Sequence, residues 1–138
     1  MKLYRWLNDK GNGLYQDNFP SRVGLVFGGP DSHEDIPYYQ PPLYEDVRGF
    51  KFEELDRYFC AFLSIDQMMS WFREIDTLSI FVEGGKLMEI TIEDQYVLSG
   101  RHQCIYRKYR STEEREITVD EFIDLADTAE NKWRKFWD

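Results

Sequence analysis

The residues best suited to thiol or metal chemistry are His33, Cys60, His102 and Cys104. His102 and Cys104 stand two apart, and side chains two apart on a strand share a face. A Cys–His dyad or a pair of metal ligands is therefore possible there. Zinc sites need three or four ligands, however, and no further group stands at a matching spacing. The cysteines read more simply as small core hydrophobes. Asp31, Glu34 and Asp35 cluster carboxylates without EF-hand spacing or its loop glycine. Gly11-Asn12-Gly13, Gly28-Gly29-Pro30 and Gly84-Gly85-Lys86 lack the spacing of a phosphate-binding loop and read as turns. No G-x-S-x-G sequence is present. Neither a metal nor a bound cofactor is expected.

One stretch is both basic and aromatic. Arg101–Ser111 carries four bases and no acid. On their own these residues suit single-stranded bases, with Tyr106 and Tyr109 as stacking platforms. Strand alternation puts Ile105, Arg107 and Tyr109 on one face and Tyr106, Lys108 and Arg110 on the other. Pairing of these cations with the neighbouring acidic segments is the expected use. The whole chain of 138 residues has 17 Lys+Arg against 26 Asp+Glu, a formal charge of −9. Direct nucleic-acid binding and attraction to an anionic membrane are disfavoured, because both need a basic surface. An acidic surface steers toward basic partners. The carboxylates Asp31, Glu34, Asp35, Glu45 and Asp46, interleaved with Tyr38, Tyr39 and Tyr44, form the expected contact zone. Rings supply contact area and charge supplies steering.

These residues must be positioned by one core. With 42% hydrophobic and 17% aromatic residues the chain suits a single domain over 1–138. No apolar run is long enough for a membrane span, and the N-terminal apolar stretch is too short for a signal peptide. Two cysteines point to reduced thiols and a cytosolic setting. Lys2–Leu7 alternates as a strand, followed by the turn Asn8–Gly13 and a possible return strand at Leu14–Gln16. Residues 17–47 read as an irregular loop. Phe52–Phe59 has the spacing of a short helix, and Cys60–Leu63 is apolar and expected in the core. Ser64-Ile65-Asp66-Gln67 matches a capping box, predicting a helix from Ile65 to about Ile75. Thr77–Glu83 reads as a strand, Gly84-Gly85 as a hairpin turn, and Lys86–Glu93 as its partner. Gln95–Leu98 and Gln103–Tyr109 are further strand candidates. Thr118–Glu121 is a second capping box. Behind it Val119, Phe122, Ile123, Ala126, Ala129, Trp133 and Phe136 form one stripe of a helix of about five turns. The expected class is α+β: a mostly antiparallel sheet, flanking helices and a C-terminal amphipathic helix, monomeric or dimeric.

Leu3-Tyr4-Arg5, Gly11-x-Gly13-x-Tyr15, Phe62-x-Ser64 and Trp71-Phe72 resemble small phage and prophage proteins. That resemblance implies a phage or mobile-element origin and a cytoplasmic setting in a bacterial host. Small acidic proteins of this kind often bind and block a host or defence protein. The same landmarks are more distantly similar to the ADP-ribosyltransferase fold, which implies an NAD-using enzyme with Arg5, Ser64 and Glu116 at its site. Arg5 would then hold dinucleotide phosphates and Glu116 would assist at an oxocarbenium-like centre. The leading expectation is stoichiometric inhibition through an acidic contact; the enzyme is the alternative.

Overall fold

The computed structural model describes residues 1–13, 43–72 and 74–137. Strand β1 (Lys2–Leu7) is followed by the short helix α1 (Leu43–Asp46), a 3-10 segment (Phe52–Arg57) and β2 (Tyr58–Ala61). Then come α2 (Ile65–Trp71), α3 (Glu74–Val82) and β3 (Lys86–Thr91). A 3-10 turn (Asp94–Tyr96) leads into β4 (Val97–Ser99), β5 (Cys104–Arg107), β6 (Glu113–Ile117) and α4 (Val119–Trp137). The α+β class holds.

Among the described residues the strands form two three-stranded antiparallel sheets, β1–β3–β6 and β2–β5–β4. They meet at one antiparallel bridge, where Tyr4 and Phe62 exchange both backbone bonds at 2.8 Å. The strand sequence across the join is therefore β6–β3–β1–β2–β5–β4. Alternation along the strands then separates two cores. Trp6, Leu87 and Ile117 face the helices and pack with Phe62, Met68, Met69, Phe72, Ile80, Phe122 and Ala126. Leu3, Ile90 and Ile92 share the second core with Ala61, Cys104 and Tyr106 from the other sheet.

Both capping boxes form. Ser64 Oγ accepts from the Gln67 N–H at 3.0 Å, while Gln67 Oε1 accepts from the Leu63 N–H at 2.7 Å. Thr118 Oγ1 accepts from the Glu121 N–H at 3.1 Å, and Glu121 Oε1 accepts from the Thr118 N–H at 3.3 Å. Such caps satisfy donors that the first helical turn leaves without a partner.

Thr77–Val82, read as strand, is helical. Thr77 and Ile80 are both fully buried, a spacing of three that places both on one helix face. The Gly-Gly pair is then a helix end and not a hairpin. Gly84 has φ +97°, and its N–H donates to Phe81 O while the Gly85 N–H donates to Ile80 O. That crossed pair is the Schellman arrangement, which needs a left-handed residue. A Cβ at Gly85 would stand 2.9 Å from Ile80 O. The helix from Ile65 also stops early, since Phe72 is extended at φ −128°, ψ 136°. Cys60, expected in the core with its neighbours, is exposed, whereas Ala61 and Phe62 are buried. β6 was not foreseen. The candidate return strand Leu14–Gln16 and almost all of the expected loop at 17–47 lie outside the described residues, which resume at Leu43.

Candidate interaction surfaces

Strand order brings cations from distant parts of the chain onto aromatic rings. Phe59 on β2 lies opposite Tyr106 on β5, and β1 borders β2 on its other side. The Arg5 guanidinium consequently lies over the Phe59 ring, 3.6 Å from its centroid. Its Nη1 donates to the Tyr106 hydroxyl across 3.5 Å. Lys108 Nζ stands 4.8 Å from the same ring, Arg110 lies 5.4 Å from Tyr96, and Arg107 lies 5.8 Å from Tyr58. Attraction to the ring quadrupole holds a cation there without a carboxylate. Among the described residues none of these four cations has a carboxylate within ion-pair reach. For Arg107, Lys108 and Arg110 the expected pairing with acidic neighbours is thus replaced by pairing with rings.

Tyr106 is only 1% exposed, so it offers no stacking platform, and burial pushes its hydroxyl up to about 12. Tyr109 is the opposite case. It is 91% exposed at the tip of the β5–β6 turn, with φ +65°. The turn is held on both sides: the Lys108 N–H donates to Arg57 O at 3.0 Å and the Thr112 N–H to Thr91 O at 2.8 Å. Its left-handed conformation is costly for a residue with a Cβ.

The acidic surface begins immediately afterwards. From Glu113 to Asp127 the chain has seven acids and one base. Glu113, Glu114 and Glu116 are exposed on the edge strand β6, as are Asp120, Asp124 and Asp127 on α4. Charge on an edge strand also discourages pairing with another strand. Arg115, the single base, bonds Glu121 at 2.7 Å and approaches Glu89 at 3.4 Å. Arg115 and the Thr118 N–H together hold Glu121 below the usual carboxylate range.

Of the expected contact zone, Asp31, Glu34, Asp35, Tyr38 and Tyr39 lie outside the described residues. Tyr44, Glu45 and Asp46 fall in α1, where Glu45 is exposed. The Asp46 carboxylate accepts from three successive backbone N–H groups of the β4–β5 turn. Arg101 donates at 2.9 Å, His102 at 3.0 and 3.2 Å, and Gln103 at 3.0 Å. Gln67 Nε2 clasps the same turn by donating to Arg101 O at 3.1 Å. No local pattern announces this clasp, because its partners lie far apart in the chain.

The groups considered for catalysis are engaged elsewhere. Ser64 Oγ caps α2, and Arg5 is held over Phe59 beside Tyr106. Arg5 and Glu116 both pair with Met88 across the sheet, on its same face but two strands apart. Cys104 is fully buried, which pushes its thiol up to about 12. Burial also lowers the pKa of the neighbouring His102, against a smaller opposing effect of Asp46. A thiolate nucleophile is therefore not prepared at that pair. Among the described residues no group of three or more His, Cys, Asp and Glu is placed to hold a metal ion. Among them also, no helix is long and apolar enough to cross a membrane.

The family model described as "Bacteriophage T4 Y00F protein" matches residues 1–120. Neither the curated proteins nor the solved structures gave a match. The phage resemblance thus has a family behind it, whereas no comparison supports the ADP-ribosyltransferase one.

Proposed function

The chain belongs to the bacteriophage T4 Y00F protein family, and from that premise we propose that it acts stoichiometrically in the cytoplasm of a bacterial host. Its acidic surface docks on a basic surface of a host or defence protein and blocks it. The observation that carries this reading is the edge formed by β6 and α4. There Glu113, Glu114, Glu116, Asp120, Asp124 and Asp127 are each exposed along one stretch of chain, Glu114 and Glu116 on the face of β6 turned away from α4. Clustered charge of one sign accelerates encounter with the opposite sign and rejects like-charged surfaces. Leu125, 37% exposed on the same helix, adds apolar area beside the carboxylates. The loop acids Asp31, Glu34, Asp35 and Glu45, with Tyr38, Tyr39 and Tyr44, are proposed as the remainder of the contact on composition alone. Asp46 itself is bonded to the β4–β5 turn.

The test is affinity capture from host lysate with the wild type and with a Glu114→Lys/Glu116→Lys/Asp120→Lys/Asp124→Lys variant. A basic protein held by the wild type in equimolar amount, released by salt and lost by the variant, is the expected result. Equal retention by both would reject this edge. A companion Glu34→Lys/Asp35→Lys variant reports on the loop acids separately.

A further inference from the structure

We propose that the cation–aromatic end of the β2–β5 pair is a second docking site, adjoining the acidic stretch at Glu113 and Glu114. Its occupant is an acidic, extended protein segment, and Tyr109 is the anchor. Three observations carry this. Within a chain of net charge −9, Arg5 and Lys108 share the Phe59 ring and Arg110 lies over Tyr96, while Arg107 lies over Tyr58 on the opposite face of the β2–β5 pair. A guanidinium stacked on a ring keeps its N–H edge for a carboxylate, with little rotamer freedom left to lose. Finally, Tyr109 stands between Lys108 and Arg110, 91% exposed and in a left-handed backbone. The fold gains little burial from that ring. Exposed tyrosines of limited flexibility are typical interface anchors.

The chemistry favours a protein segment over nucleic acid. Base stacking needs open ring faces, yet Phe59, Tyr58 and Tyr96 already carry cations and Tyr106 is buried. Only Tyr109 is open among them. A continuous phosphate backbone would also run against Glu113 and Glu114, the latter bonded to Ser111 Oγ at 3.1 Å beside the patch. A short segment with a few carboxylates and an apolar residue for Tyr109 avoids that repulsion.

Fluorescence anisotropy on the full chain tests the proposal, using a short fluorescein-labelled peptide of alternating Glu and Phe and a labelled oligo(dT) of equal charge. The peptide should bind more tightly than oligo(dT). Tyr109→Gly and Lys108→Ala/Arg110→Ala should each weaken it by roughly tenfold or more, and the double variant should also flatten its salt dependence. Tyr109→Gly suits the existing backbone, so its loss of binding reads the ring and not misfolding. Tighter binding of oligo(dT), no peptide binding, or unchanged affinity in both variants would each overturn the assignment. So would concentration-dependent dimerisation abolished by the same variants, which would give the surface to a second copy.

Discussion

Two neighbouring stretches of this chain use charge in opposite ways. Along β6 and the start of α4 the carboxylates are mostly exposed. The helix beneath them is held by Phe122 and Ala126, both fully buried, and by its capping box. At the β2–β5 end the cations lie on rings, and Arg5, Arg107 and Lys108 are only half-exposed. The lesson concerns what each charge contributes. Solvated carboxylates shape a field that salt screens and add little to stability. Cations seated on rings belong to the packing as well as to the surface.

The largest expected effect separates the acidic edge from what lies under it. Phe122→Ala should cost about 3–5 kcal/mol, as for other fully buried rings. Glu114→Gln or Asp124→Asn, exposed on the same edge, should stay within about 0.5 kcal/mol. Urea unfolding of the three variants measures this. A surface carboxylate costing as much as the ring would break the distinction.

The two regions should also answer to opposite ends of the pH scale. Burial pushes the Tyr106 hydroxyl up to about 12 from an ordinary 10.0, and the Cys104 thiol up to about 12 from 9.0. For both groups the raised folded pKa means that the unfolded chain loses its proton first. Stability is therefore complete below pH 9 and falls as pH rises toward 12. At about 1.4 kcal/mol per unit, Tyr106 contributes a loss of roughly 3 kcal/mol. Tyr106→Phe should remove that share, so unfolding measured at about pH 9 and about pH 11 should differ less than in the wild type. Glu121 behaves in reverse. Its folded pKa is depressed by Arg115 and by Thr118, so its contribution is present above the ordinary carboxylate pKa and is lost as pH falls through the lowered one. Arg115→Met should weaken this acid-side component while leaving the Thr118 cap of α4 in place.

A smaller effect is expected where the chain re-enters the described structure. The Asp46 carboxylate occupies the space that a side chain at Gly100 would need, its backbone O standing 2.7 Å from a Cβ built there. Gly100→Ala should displace the carboxylate from the amides of Arg101, His102 and Gln103. The expected cost is about 1–3 kcal/mol for the hydrogen bonds lost. Amide exchange at those three positions should rise together. Faster exchange at Gln103 alone would show that the clasp is not one unit.

How much of this was legible depends on the range over which each feature is encoded. α4 could be read twice over, from its capping box and its apolar stripe, and Ser64–Gln67 marked the start of α2. β1 and β3 followed from alternation. α3 was misread because Leu78-Ser79-Ile80-Phe81-Val82 is a short, mostly apolar segment that fits either period, and its Schellman Gly-Gly resembles a hairpin turn. β6 reads Glu-Glu-Arg-Glu-Ile and has almost no apolar alternation. Its strand state comes from pairing with β3, Arg115 opposite Glu89. The basic–aromatic block was visible as composition. Which ring each cation meets was not, because Arg5 reaches Tyr106 from 101 residues away, through the order β1–β2–β5.

Tyr109 gives the most direct trial of the contrast between charge used for packing and surface held for contact. A non-glycine residue at φ +65° gives up about 1 kcal/mol relative to glycine, which populates that region freely. Glycine has an opposing cost, since it orders from a more flexible unfolded chain. With the ring 91% exposed, its removal forfeits little burial. Tyr109→Gly should therefore leave stability unchanged or raise it by up to about 1 kcal/mol, read as the urea midpoint at constant slope. A marked loss would mean that the ring is packed in solution and is part of the fold. Neutral or raised stability would leave a ring that the fold does not require, at the one described non-glycine position with positive φ. Gain of stability with loss of binding is the pattern of a residue that serves contact at the expense of the backbone.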